Sequence, residues 1–149
     1  MKVTVAATQF ACTEDREQNL ATAERMIRAA ASKGANIILI QELFETPYFC
    51  KEHNPHYFDY ARSIEESPAV RRFQELAREL NVVLPASVYE REGNAFFNTV
   101  AIVDADGKAV VLTTTLEHAE LKRDQIHAYG KDNLEGSKGS MWSTIEPVE

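Results

Sequence analysis

The chain has 149 residues, 44% of them apolar and 26% charged, which suits one domain with a hydrophobic core and excludes wholesale disorder. A formal net charge of -7, with 16 basic residues scattered among 23 acidic ones, excludes a general nucleic-acid binder, because phosphate recognition needs clustered lysines and arginines. No basic-then-apolar leader opens the chain and no stretch approaches the ~20 apolar residues of a membrane helix, so a cytoplasmic protein without membrane contact is expected.

Val3 to Phe10 is apolar and β-branched without polar alternation, the pattern of a central strand covered on both faces. Thr13 is placed to cap a helix on which Leu20, Ala23, Ile27, Ala30 and Ala31 recur at helical spacing, and Gly34 ends it. Ile37 to Ile40 completes a strand–helix–strand unit, which implies a parallel pair with a right-handed crossover. Glu42 falls at the carboxyl end of that second strand. Open α/β sheets bind ligands there, so its position alone makes this carboxylate a site candidate.

Residues 44–66 form an aromatic and acidic loop with no sustained period, and long ordered loops are often functional. Ser67-Pro68 starts a helix whose apolar face is Val70, Phe73, Leu76, Ala77 and Leu80, closed by Asn81 as a left-handed cap. Val82 to Tyr89, Phe96 to Val103 and Lys108 to Thr115 read as an antiparallel meander with turns at Gly93 and at Asp104 to Gly107. A short helix is expected from Leu116 to Tyr129, followed by a Gly-, Ser- and Lys-rich loop or frayed tail.

Three segments carry a further signal: Ala7-Thr8-Gln9-Phe10, Phe97-Asn98-Thr99-Val100, and above all Gln41-Glu42-Leu43-Phe44-Glu45-Thr46-Pro47-Tyr48-Phe49-Cys50. With this order of elements they resemble the opening of the nitrilase superfamily of carbon–nitrogen hydrolases, and within it the N-carbamoylputrescine amidases, over about residues 1–109. The resemblance implies an α/β fold: the N-terminal part of an αββα sandwich, a mixed sheet with helices packed on one face. Residues 1–115 would form a partial hydrolase domain and 116–149 a divergent segment.

The resemblance also implies a Glu, Lys and Cys set with Glu42 as the base, a small carbamoyl amine as substrate, a homo-oligomer, and neither metal nor organic cofactor. A thiol attacking a carbamoyl carbon must lose its proton, and a carboxylate partly shielded by Leu43 and Phe44 suits that transfer. An ammonium would stabilise the oxyanion. The stretch matching the family's lysine segment is Leu112-Thr113-Thr114-Thr115-Leu116-Glu117, and no Gly-Ile-Cys-Trp-Asp-like segment follows. A chain with only the base is expected to be inactive by itself.

Other groupings have plainer explanations. Cys12 and Cys50 lack disulfide or zinc spacing; Cys12 reads as a packing residue and Cys50 as a loop thiol with no motif to activate it. Glu52, His53 and His56 have metal-like spacing, but Pro55 interrupts the helix such a site needs. The loop aromatics serve either to wall a substrate cleft or to cover a sheet edge. The functional alternative to a hydrolase is a noncatalytic association module built on the same fold; an unrelated α/β binding domain leaves the Glu42 segment unexplained.

Overall fold

The computed structural model describes residues 2–52 and 54–115 and contains the expected strand–helix–strand opening: β1 (Val5–Ala7), α1 (Arg16–Ser32) and β2 (Ile37–Leu39). The cap of α1 is Asp15 rather than Thr13, with the Asp15 carboxylate accepting the Gln18 amide at 3.0 Å. Thr13 stays outside the helix because Asn19 engages it, the Asn19 side chain accepting the Thr13 amide at 2.8 Å and donating to the Thr13 carbonyl at 2.6 Å. Asn19 is 2% exposed and also donates to the Glu45 carbonyl at 2.9 Å, so a buried polar residue ties the start of α1 to the segment after Glu42.

β2 pairs in parallel with β1, Ile37 beside Val5 and Leu39 beside Ala7. Its other edge takes β3 (Leu84–Glu92), Ile38 donating to the Val83 carbonyl at 2.9 Å and Ile40 to the Pro85 carbonyl at 3.3 Å. β4 (Ala95–Val103) and β5 (Ala109–Thr115) follow antiparallel. The result is a parallel pair, β1-β2, and an antiparallel sheet, β3-β4-β5, joined by a parallel bridge between Ile37 and Val83. The first strand is shorter than its apolar run, and among the described residues it pairs only with β2, at an edge rather than in the centre.

Between β2 and β3 runs the long loop, then α2 (Pro68–Leu80), capped by Ser67 and stopped by left-handed Asn81 as its sequence requires. Pro55 does not break a helix but opens a short 3-10 one, Pro55–Tyr60, where the missing N–H costs nothing; Asn54 caps it by accepting the His56 amide at 3.0 Å. The helix and tail expected after residue 115 lie outside the described residues.

Both helices pack on one face of the sheet. Phe44 and Phe73, each 0% exposed, stack at 5.3 Å with their planes 16° apart, among Ile27, Ile38, Leu76, Leu84 and Val103. The opposite face is different. There the row Ala7, Leu39, Pro85, Ile102 and Val110 crosses all five strands, with Leu39 52% and Val110 64% exposed.

At the surface between α1 and α2, Glu24 joins Arg28 at 2.9 Å and Arg72 at 2.6 Å. Burial works to raise the Glu24 carboxyl, but the hydrogen bonds from both guanidiniums outweigh it and hold the group below the usual glutamate range. A carboxyl lowered in the folded state contributes stability above its unfolded pKa and loses it as pH falls through the folded value. Urea midpoints of the chain should therefore fall below about pH 4.5, and Glu24→Gln should cost about 1 kcal/mol at pH 7 while flattening that acid slope.

Candidate active site

Beyond β2 the chain is steered to present one carboxylate. Gln41 bridges to the end of the β1 segment, its amide oxygen accepting the Phe10 N–H at 2.6 Å and its nitrogen donating to the Phe10 carbonyl at 2.8 Å. Leu43 then adopts φ 49, a left-handed conformation that costs a non-glycine residue roughly 1 kcal/mol or more. Two features offset it: the Leu43 N–H donates to Ser87 Oγ at 3.2 Å, and its side chain is buried against Phe49, Ala61 and Tyr89. Phe44 enters the main core instead. The reversal sends these apolar neighbours inward in separate clusters and leaves Glu42 at the surface, so the expected shielding by Leu43 and Phe44 does not occur.

Glu42 Oε1 accepts a hydrogen bond from Asn98 Nδ2 at 2.5 Å, across a sequence separation of 56. Asn98 Oδ1 in turn accepts from Ser87 Oγ at 2.9 Å. Desolvation, then the Glu42 charge, raises the Tyr48 phenol above its ordinary range. Among the described residues no lysine or arginine forms an ion pair with Glu42.

Cys50 is exposed, and its environment does not favour a thiolate. Desolvation pushes its thiol up, the Tyr48 hydrogen bond pulls the other way, and the Glu42 charge adds to the rise. Cys12 packs beside the core as expected, donating to the Phe44 carbonyl at 3.1 Å, and burial raises it against a hydrogen bond from Gln41.

The loop aromatics mainly pack the loop. Phe49 is 7% exposed and meets Tyr57 at 5.4 Å, Tyr60 at 5.8 Å and Tyr89 at 4.8 Å, while Phe58 lies 4.6 Å from Phe96. Beneath them is a cavity of about 10 Å³, room for one water, lined by Leu43, Glu45, Thr46, Tyr60 and Tyr89. Glu42 does not line it. Glu45 does, and burial pushes its carboxyl up while Arg16 and Arg62 draw it back. His56 faces Asp59 at 3.5 Å, His53 lies outside the described residues, and among the described residues no cluster of three His, Cys, Asp or Glu is arranged to hold a metal.

Sequence reasoning missed Asn98 as the partner of Glu42 and Ser87 as the partner of Asn98. Asn98 carried a signal, since asparagine is disfavoured in a strand and needs a reason to sit between Phe97 and Thr99. Ser87 carried none.

Against known families, residues 4–134 match the carbon-nitrogen hydrolase model, reaching past the motifs that first gave the resemblance. The chain is 57% identical over 105 residues to the N-carbamoylputrescine amidase of Solanum lycopersicum, covering 70% of this chain and 35% of that protein. It is 48% identical over 105 residues to the citrullinase of Francisella tularensis, covering 70% and 37%. The chain thus spans about a third of the length of these relatives. Among solved structures, the carbon-nitrogen hydrolase of Helicobacter pylori is similar with a TM-score of 0.68 at 28% identity, over 75% of this chain and 39% of that one. Nit3 of Saccharomyces cerevisiae shares the fold with a TM-score of 0.64 at 23% identity, over 75% and 44%.

Proposed function

The chain belongs to the carbon-nitrogen hydrolase family, and from that premise we propose that it serves hydrolysis of N-carbamoylputrescine to putrescine, carbon dioxide and ammonia in the cytoplasm, with Glu42 as general base. The observation that carries this reading is the placement of Glu42 just beyond the parallel strands, its carboxylate held by a side chain from β4. In the proposed step Glu42 takes the proton of a nucleophilic thiol, the sulfur bonds to the carbamoyl carbon, and the carbonyl electrons move onto oxygen. Collapse of that oxyanion expels one nitrogen, which takes the proton back from Glu42. Water then attacks the carbamoyl–sulfur carbon, Glu42 taking its proton and passing it to the departing sulfur, and the carbamic acid released loses carbon dioxide to free the second amine.

N-carbamoylputrescine and citrulline share a terminal carbamoyl amine, so both substrates belong in the test. The nucleophile and the oxyanion-stabilising ammonium are proposed to come from outside residues 2–115. The 149-residue chain is assayed for ammonia release with each substrate, alone and after cofolding with the part of the Solanum lycopersicum relative that it does not cover. The expected result is no turnover alone and turnover of N-carbamoylputrescine by the reconstituted protein. Turnover of citrulline only would reassign the substrate.

The second reading, an association module, is favoured by the apolar row on the sheet, of which Leu39 and Val110 stand exposed among the described residues. Leu39→Glu puts a charge within this row. Self-association of the chain, followed by sedimentation over a wide concentration range, should weaken at least tenfold in this variant; a wild-type chain monomeric throughout would count against association through this face.

A further inference from the structure

We infer that Asn98 and Ser87 form a two-residue clamp that positions the Glu42 carboxylate, Ser87 anchoring the Asn98 amide through its oxygen and Asn98 holding the carboxylate through its nitrogen. An asparagine side chain presents a donor nitrogen and an acceptor oxygen of nearly the same shape, and only its partners decide the orientation. Here the partner on one side is a hydroxyl. Ser87 Oγ accepts the Leu43 N–H at 3.2 Å, so its own proton is free to donate to Asn98 Oδ1 at 2.9 Å. On the other side the acceptor-only Glu42 carboxylate takes Asn98 Nδ2 at 2.5 Å, so the two contacts together hold the amide in one orientation.

Ser87 therefore acts twice on the same short segment. It holds the backbone of left-handed Leu43, and through Asn98 it holds the side chain of the residue immediately before. Glu42 needs this because it is exposed, follows a strand end, and has no cationic partner among the described residues to fix its rotamer. The supports come from a rigid antiparallel pair, Ser87 on β3 opposite Val100 and Asn98 on β4 opposite Tyr89. Positioning of this kind matters because a misplacement of about 1 Å at a reacting group can cost roughly 100-fold in rate. The role as a positioning pair rests on Glu42 being the base; the clamp itself does not.

The test is carboxyl-carbon NMR of the glutamate-labelled 149-residue chain at pH 7, with the Glu42 signal identified by its loss in Glu42→Gln. Asn98→Ala should shift that signal, Ser87→Ala should shift it in the same direction, and Ser87→Thr, which keeps the hydroxyl, should restore it. In Glu42→Gln the Asn98 side-chain amide protons should move while their counterparts at Asn36 stay in place. A Glu42 signal unchanged in Asn98→Ala, with the fold intact by circular dichroism, overturns the clamp. In the reconstituted enzyme, Asn98→Ala should lower kcat about 10–100-fold with KM changed less than about threefold. It should cost nothing further on top of Glu42→Gln. Full turnover by Glu42→Gln would remove the base reading and leave the NMR coupling standing; loss in Glu42→Gln but not in Asn98→Ala would keep the base and remove the positioning role.

Discussion

Replacing Glu42 by Gln should lower N-carbamoylputrescine turnover by the reconstituted enzyme about 10²–10⁴-fold, while Cys50→Ala should change it less than about threefold. Glutamine keeps the size of the side chain and can still accept from Asn98 Nδ2, so the expected loss isolates the proton-accepting role from the packing role. Cys50 is the control that matters, because it is the thiol in the same ten-residue segment as Glu42, Gln41 to Cys50. Desolvation and the Glu42 charge both keep it protonated, the opposite of what a nucleophilic cysteine needs. Ammonia release measured by a coupled assay decides the matter. Loss of turnover in both variants would make Cys50 the nucleophile and the site self-contained; retention in Glu42→Gln would remove the carboxylate from the chemistry.

The legible parts of the fold were those set by local rules. Ser67-Pro68 and Asn81 bound α2 at the residues the sequence indicates, because caps and φ preferences act within a few residues. The meander was similarly readable from its turns at Gly93 and Gly107; at Gly107 φ is 82, and a Cβ would stand 2.8 Å from the Gln74 carbonyl oxygen. What escaped was decided by distant partners. Thr13 lost the capping role because Asn19 binds it, a consequence of Asn19 being drawn inward to the Glu45 carbonyl.

The site shows the same division. Glu42 could be singled out because strand order places it and its neighbouring residues carry a recognisable pattern. Ser87 and Asn98 reach it through β3–β4 pairing, and no local pattern in either strand announces a hydrogen bond spanning 56 positions. Glu45 was passed over for a related reason: it lies next to Phe44 in a loop, and only the fold brings Tyr60 and Tyr89 to the same small cavity as this half-buried carboxylate.

Phe73→Ala should destabilise the chain by about 3–5 kcal/mol, enough to consume most of the 5–15 kcal/mol typical of a small domain. The side chain is fully buried on α2 and stacks on Phe44 at 5.3 Å, so truncation removes its own transfer term and half of the aromatic pair, and leaves a cavity between helix and sheet. The effect should reach the site, because Phe44 is the core anchor for the strained Leu43 turn and Leu43 directly follows Glu42. The milder Phe73→Leu separates the two consequences. It should keep a cooperative urea transition with a lower midpoint, while the Glu42 carboxyl NMR signal broadens or shifts as the turn loosens. A Phe73→Ala chain with the wild-type urea midpoint would show that this stack does not hold the helices to the sheet, and a Phe73→Leu chain with an unchanged Glu42 signal would show that Ser87 alone secures the turn.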